Sequence, residues 1–116
     1  MHATIRRYRG VDPNRTAEVA DKVKATLVPR LCELPGFAGY YLIEADDGVL
    51  SSLGLFDTPE QADESTSVVA KWIIDADLGT AIPNAPEITT GHVVAHSDGD
   101  ADAYDSRGAR VQSTDD

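Results

Sequence analysis

An Asp-Gly turn near the middle of the chain most constrains what this sequence can fold into. Asp46-Asp47-Gly48 separates two runs rich in β-branched, aromatic and aliphatic residues, 37–45 and 49–56. Asp-Gly is typical of a two-residue hairpin loop, because both of its turn positions require positive φ. The pattern therefore predicts an antiparallel hairpin in which Asp46 pairs with Val49.

Helix-start signals lie on both sides of this hairpin. Before it, Asp12-Pro13 supplies an N-cap followed by a proline at the first helical position. After it, Thr58-Pro59-Glu60-Gln61 has the pattern of a capping box, and we expect the helix to continue to about residue 78. Apolar residues recur every three or four positions through both segments, as on a helix face that packs against a core. Pro29 interrupts the first pattern and predicts a kink or an end near residue 28.

The outer segments complete the order of elements. Residues 3–9 and 87–96 read as the first and last strands, which gives β-α-β-β-α-β. This order predicts an α+β, ferredoxin-like domain, in which a four-stranded antiparallel sheet carries both helices on one face. We assign this domain to residues 1–96. Residues 97–116 contain few apolar side chains and many Asp, so we expect an acidic disordered tail.

Charge and composition narrow the possible partners. The formal net charge is −10, and residues 1–96 contain 14 of the acidic and eight of the basic side chains. Such a domain disfavours nucleic acid and anionic membrane surfaces as partners, and no apolar run approaches a membrane span. The single Cys32 excludes an internal disulfide and favours a cytoplasmic location. Asp outnumbers Glu by 14 to six and only three Lys occur, so we entertain a halophilic source, with an ordinary acidic protein as the alternative.

The hairpin register predicts which side chains share a face of the sheet. With Asp46 opposite Val49, a mainly aliphatic set lies under the helices: Ile5, Tyr40, Leu42, Val49, Leu53, Leu55 and Val93. The open face then carries a mixed set: Thr4, Arg6, Tyr8, Tyr41, Ile43, Ser52, Phe56, Thr90, His92 and Val94. A mixed apolar face of this kind usually marks an interface or a ligand groove. We therefore expect a homodimer that forms through the open sheet face.

Three segments carry a resemblance to a known family. Pro35-Gly36-Phe37 at the entry to the second strand, the Asp-Gly hairpin and the capped helix with Trp72 resemble the antibiotic-biosynthesis-monooxygenase-like (ABM-like) family of dimeric α/β barrels, over roughly residues 2–96. The resemblance implies a pocket between sheet and helices. Some members carry out cofactor-free oxygenation of aromatic substrates, whereas others degrade haem with an Asn, a Trp and a His. The first strand here has no Asn and the helices have no His, so haem degradation is not expected.

The resemblance thus predicts a small-molecule-binding dimeric α/β barrel. If the protein is an enzyme, we expect a cofactor-independent monooxygenase that acts on a phenolic or quinol-type substrate. The alternative is a non-catalytic module that binds a ligand or only dimerises.

Five polar side chains on the predicted open face are candidate site residues. His92 is the candidate general base, or else a histidine satisfied across the dimer interface. Arg6 and Tyr8 could hold a carboxylate or an aromatic hydroxyl, or Arg6 could pair with an acid of the partner subunit. Tyr41 and Ser52 are expected to line the same pocket or to pack in the interface.

Trp72 and the remaining histidines complete the candidates. Trp72 lies in the apolar stripe of the second helix, where it is either a core residue or part of the pocket wall. His92 and His96 would stand about 13 Å apart on one strand, too far to share an ion. We therefore expect no metal site and no cofactor.

Overall fold

Four strands form one antiparallel sheet in the computed structural model, which describes residues 1–97. They are β1 (His2–Tyr8), β2 (Phe37–Ala45), β3 (Val49–Phe56) and β4 (Glu87–His92), and their order in the sheet is β2-β3-β1-β4. The predicted ferredoxin-like α+β fold is confirmed. The predicted bounds of β2 and β3 are also confirmed, whereas β4 ends at His92 and not at residue 96. The predicted acidic tail, 97–116, lies outside the described residues apart from its first residue.

The first helical region consists of four consecutive pieces. A 3-10 turn, Pro13–Arg15, leads into α1 (Thr16–Lys22), a π-helical segment (Val23–Leu27) and α2 (Val28–Cys32). The turn begins where the sequence predicts, because the Asp12 carboxylate accepts a hydrogen bond of 2.9 Å from the Asn14 N–H. The predicted disturbance at Pro29 takes the form of the π-helical segment, which directly precedes α2.

The π-helical segment lets the helix pass Pro29 without a break. The Val28 N–H bonds to the carbonyl five residues back, at Val23, so the backbone has already widened where the proline lacks its own N–H. The widened turn also presents the Thr26 hydroxyl to α3, and this oxygen accepts a hydrogen bond of 2.7 Å from Trp72 Nε1–H. The first helical region is thereby connected to the buried tryptophan.

The second main helix, α3 (Pro59–Asp75), starts with the predicted capping box. The Thr58 hydroxyl accepts from the Gln61 N–H at 3.2 Å, and Gln61 Oε1 accepts from the Thr58 N–H at 3.1 Å. The helix ends earlier than predicted. Asp77 adopts a left-handed conformation (φ 57°) that closes the helix two residues before the expected stop at Gly79.

The hairpin register differs from the prediction by one residue. Ala45, not Asp46, pairs with Val49, so the loop contains three residues instead of two. Asp47 (φ 63°) and Gly48 (φ 73°) have the expected positive φ values. Because side chains alternate along a strand, a shift of one residue moves every side chain of β3 to the other face relative to β2.

The faces predicted for β1, β3 and β4 are therefore wrong. On β4, Thr90 and His92 pair with Thr4 and His2, so they lie on the same face of the sheet as Arg6 and not on the open face. Side chains expected on the open face instead lie buried under the helices: Thr4, Arg6, Tyr8, Ser52 and Phe56, together with Leu50. The open face carries Ile5, Leu53 and Leu55 beside Tyr41 and Ile43. The faces predicted for β2 are confirmed, since Tyr40 and Leu42 pack against the core while Tyr41 and Ile43 are exposed.

The covered face of the sheet and the helices enclose one core. Val19, Leu27 and Leu31 come from the first helical region, and Val69 and Trp72 come from α3. No helix in the described part of the chain is both long and apolar enough to cross a membrane.

Candidate functional site

A cleft of about 300 Å³ opens between the sheet, α3 and the connector that leads from α3 to β4. Arg6 and Tyr8 of β1 and Ile88 of β4 form its sheet side. The walls come from α3 and from the connector: Thr66, Ala70, Ile73, Ile82, Pro83, Asn84, Ala85 and Pro86. The connector is fixed to the end of β1, because Asn84 Nδ2 donates to the Arg9 carbonyl at 3.0 Å. One side-chain hydrogen bond and two prolines thus fix the connector at the cleft.

Arg6 is the charged group of this cleft. Its side chain is only 1% exposed, and Nη2 donates to Ser65 Oγ at 2.8 Å and to Thr66 Oγ1 at 3.0 Å. The Ser65 hydroxyl in turn donates to the Ala62 carbonyl, so its oxygen lone pairs are free to accept from the guanidinium. Among residues 1–97 no carboxylate forms an ion pair with Arg6. Within the described part of the chain, the side-chain hydrogen bonds of the cation therefore go to neutral hydroxyls.

Burial also perturbs the groups around this cation. Desolvation lowers the pKa of Arg6, and the nearby Tyr8 and Tyr40 hydroxyls oppose the change. Burial raises the pKa of Tyr8 to about 12 although Arg6 acts in the opposite direction. Tyr40 behaves alike: burial raises its pKa, while Ser52 and Arg6 lower it. At neutral pH both phenols are protonated and available as hydrogen-bond donors.

The lining suits a flat, partly apolar ligand with one negative or ionisable oxygen. One guanidinium, one phenol, one threonine hydroxyl and one asparagine amide stand among aliphatic and proline side chains, and none of the described residues that line the cleft is acidic. This is the usual composition of a small-molecule site, in which an apolar wall supplies affinity and a few polar groups fix orientation.

The structure brings together only part of the predicted site. Arg6 and Tyr8 lie side by side in the cleft, but on the covered face instead of the open one. Ser52 pairs with Arg6 across the strands and is buried, so it faces away from Tyr41, which is 59% exposed on the other face. Trp72 lines a separate internal cavity of about 20 Å³ that also touches Tyr8.

His92 lies apart from the other predicted residues. It is exposed at the end of β4, opposite His2 of β1, and is not among the residues that line the cleft. Its separation from Ile88, the β4 residue that does line the cleft, is roughly 13 Å along the strand. Sequence reasoning missed the contribution of Thr66 and of the connector. Pro83 and Pro86 were the available signal, since two prolines in four residues make a stiff wall.

Solved structures share this fold. No protein-family model and no curated protein sequence matches the chain. A protein of unknown function from Nitrosomonas europaea superposes with a TM-score of 0.65 at 16% identity, covering 83% of this chain and 91% of that one. A candidate antibiotic biosynthesis monooxygenase from Bordetella bronchiseptica gives 0.64 at 16% identity, with 81% and 97% covered.

A third structure is similar and contains a ligand. It is a monooxygenase from the gene ActVA-Orf6 of Streptomyces coelicolor in complex with Nanaomycin D, with a TM-score of 0.62, 12% identity, and 82% and 92% covered. At these identities the likeness concerns the fold. The resemblance of this chain to ABM-like proteins is confirmed at that level: it has the fold of solved proteins that are named antibiotic biosynthesis monooxygenases.

Proposed function

We propose that this chain is an ABM-like protein that binds a small planar phenol or quinol in the cleft beside Arg6 and Tyr8. One observation carries the proposal: a buried arginine, which no carboxylate among residues 1–97 pairs with, lines an otherwise mainly apolar cleft. A buried cation that forms no ion pair is costly, and a site of this kind gains most from a ligand that brings a negative charge. A phenol does so when it ionises.

The reaction that fits this site is cofactor-independent oxygenation. Arg6 stabilises the phenolate form of the ligand, and the Tyr8 hydroxyl donates a hydrogen bond to its oxygen. A phenol with an unsubstituted para carbon reacts with O₂ to give a quinone and water. One oxygen atom enters the ring, the other leaves as water, and the substrate supplies all four electrons. The ring C–H proton must pass to a base. His92 is the base predicted from the sequence, but it does not line the cleft and would have to receive this proton through water.

Ligand ionisation provides a direct test with 4-nitrophenol as the probe, because its phenolate absorbs visible light. We expect the protein to lower the apparent pKa of the bound probe by about one unit or more, as a nearby cation does. Arg6→Met should abolish that shift. Arg30→Met is the matched control, because Arg30 is a half-exposed arginine on α2 that pairs with Asp75 and does not line the cleft. Equal shifts in the two variants would contradict the proposal.

Oxygen consumption separates the enzyme from the alternative binding module. 1-Naphthol, whose carbon para to the hydroxyl is unsubstituted, is added to the protein, and O₂ uptake and quinone absorbance are recorded. Uptake that Arg6→Met abolishes would support oxygenation, whereas binding of 4-nitrophenol without any uptake would favour the module. If uptake occurs, an unchanged rate in His92→Ala would remove His92 as the base.

We further propose that the protein forms a homodimer through the open sheet face. Three large apolar side chains there are strongly exposed, namely Ile5 (42%), Tyr41 (59%) and Ile43 (53%). They adjoin the half-buried Leu53 and Leu55, so the patch is continuous across β1, β3 and β2. An apolar sheet face on so acidic a chain is best explained by a second copy that covers it.

Solution mass tests the dimer. The chain has a mass of 12.4 kDa, so light scattering on the eluted protein should give about twice that value. Ile43→Lys should restore the monomer. Ile74→Lys is the control, because Ile74 is equally apolar and 78% exposed, but lies on α3, away from the sheet. A monomer at micromolar concentration would refute the interface.

A further inference from the structure

Three buried polar atoms, in Arg6 and in two residues beside it, lack hydrogen-bond partners within the described part of the chain. Thr4 and Arg6 are two residues apart on the covered face of β1, and Ser52 is the cross-strand partner of Arg6 on β3. Thr4 is fully buried, and Arg6 and Ser52 are 1% and 2% exposed. Within the described part of the chain, Thr4 Oγ1, Arg6 Nε and Ser52 Oγ have no hydrogen-bond partner of good geometry.

Tyr40 and Gly54, which lie next to these three atoms, do not supply the missing hydrogen bonds. Ser52 is near enough to the Tyr40 hydroxyl to lower its pKa, but the two oxygens do not reach hydrogen-bond geometry. The fourth corner of the cluster is Gly54, which pairs with Thr4 and adds no side chain. The two hydroxyls and the Arg6 N–H are therefore three buried donors at neighbouring positions of β1 and β3.

The cluster of Thr4, Arg6 and Ser52 differs from an ordinary buried polar network because it contains the positive charge of the Arg6 guanidinium. A single water molecule could accept one or two of these hydrogen bonds, but it would leave the guanidinium charge uncompensated. Hydrogen bonds to Ser65 and Thr66 engage Nη2 and likewise add no negative charge. The ion pairs among the described residues join exposed or half-exposed side chains, and none of them includes Arg6.

We propose that Thr4, Arg6 and Ser52 form an internal binding site for a small monovalent inorganic anion of the size of chloride. One positive charge with two hydroxyl donors matches one negative charge. A dianion such as sulfate would bury a charge that nothing there neutralises. The site does not require the organic ligand, so it stands whether or not the proposed phenol binding is correct. Where both occur, a phenolate oxygen and the inorganic anion compete for Arg6.

Thermal unfolding of the full chain tests the site without any organic ligand. Sodium chloride replaces sodium gluconate at constant ionic strength, and the fluorescence of Trp72, the single tryptophan, reports unfolding. Binding to the native state should raise the Tm by several degrees in a saturable manner. Arg6→Met should remove this rise, and the control Arg30→Met should keep it.

Two milder variants protect the test against a change in folding. Thr4→Val and Ser52→Ala each remove one donor and keep the arginine, so each should raise the half-saturating chloride concentration by roughly tenfold. Excess broadening of the ³⁵Cl NMR line by the wild-type protein, lost in Arg6→Met, would support direct binding. Identical Tm values in chloride and gluconate, or a chloride effect that persists in Arg6→Met, would overturn the proposal. Loss of phenol binding alone would leave it intact.

Discussion

Arg6→Met should increase the stability of this protein while it removes ligand binding. Methionine has a similar length and can occupy the channel between β1 and α3 without a charge. The wild-type side chain is 1% exposed and gains two hydrogen bonds, to Ser65 and Thr66, at 2.8 and 3.0 Å. Each such bond to a charged group contributes about 1.5–3 kcal/mol.

The loss of hydration outweighs these two bonds. Removing a guanidinium from water costs several kcal/mol per ion, and exchange of buried ionic groups for well-packed apolar ones is often stabilising by about 1–4 kcal/mol. The hydroxyls left behind are tolerable, because Ser65 still bonds to the Ala62 carbonyl and Thr66 is half-buried at the cleft wall. We therefore expect Arg6→Met to gain roughly 1–3 kcal/mol in chloride-free buffer. For a domain of this size, each kcal/mol raises the Tm by about 4–8 °C.

Urea unfolding followed by Trp72 fluorescence measures this difference. Arg6→Ala is the informative companion, because it also removes the charge but leaves a cavity, and it should be less stable than Arg6→Met by about 2 kcal/mol or more. Chloride should narrow the gap between wild type and Arg6→Met. If Arg6→Met instead loses more than about 1 kcal/mol in chloride-free buffer, the arginine is compensated inside the protein and the reasoning fails.

Three further predictions follow from local features. Burial raises the pKa of Tyr8 to about 12, so the stability that this effect contributes is complete below pH 10 and is lost as the pH rises towards 12. In the wild type the unfolding free energy should therefore fall by about 2–3 kcal/mol between pH 10 and pH 12 on account of Tyr8. Tyr8→Phe should lack this fall, as measured by urea unfolding at each pH. Thr58→Ala removes the N-cap of α3 and should cost about 0.5–2 kcal/mol in the same assay, whereas an unchanged midpoint would mean that the cap is redundant. If the acidic surface reflects a halophilic source, potassium gluconate as well as potassium chloride should raise the Tm up to multimolar concentration, and a Tm that either salt leaves unchanged or lowers would refute that hypothesis.

The elements of this fold could be predicted because their signals are local. The capping box at Thr58, the cap at Asp12 and the β-rich runs around Asp47-Gly48 depend on residues within a few positions of one another. The length of the hairpin loop could not be predicted in the same way. Positive φ at Asp47 and Gly48 is compatible with both a two-residue and a three-residue loop, and the contact that fixes the loop comes from elsewhere. The Val11 N–H bonds to the Gly48 carbonyl at 2.9 Å, so a residue beyond β1 holds the turn.

The error in the sheet faces has a second cause, and it coincides with the candidate site. Hydrophobicity alone places Ile5 under the helices and Arg6 on the open face, since arginine is almost never fully buried without a partner. The structure does the reverse: Ile5 is 42% exposed and Arg6 is buried. Proteins break such local rules mainly where function requires it, and the cost is met by other interactions. The broken rule, the cleft beside Tyr8 and the Thr4 hydroxyl, for which residues 1–97 supply no hydrogen-bond partner, all occur within five residues of one strand. That coincidence is the strongest reason to look for the ligand on the covered face of the sheet. The open face, where the sequence pattern had placed these residues, is better explained as the surface that a second copy covers.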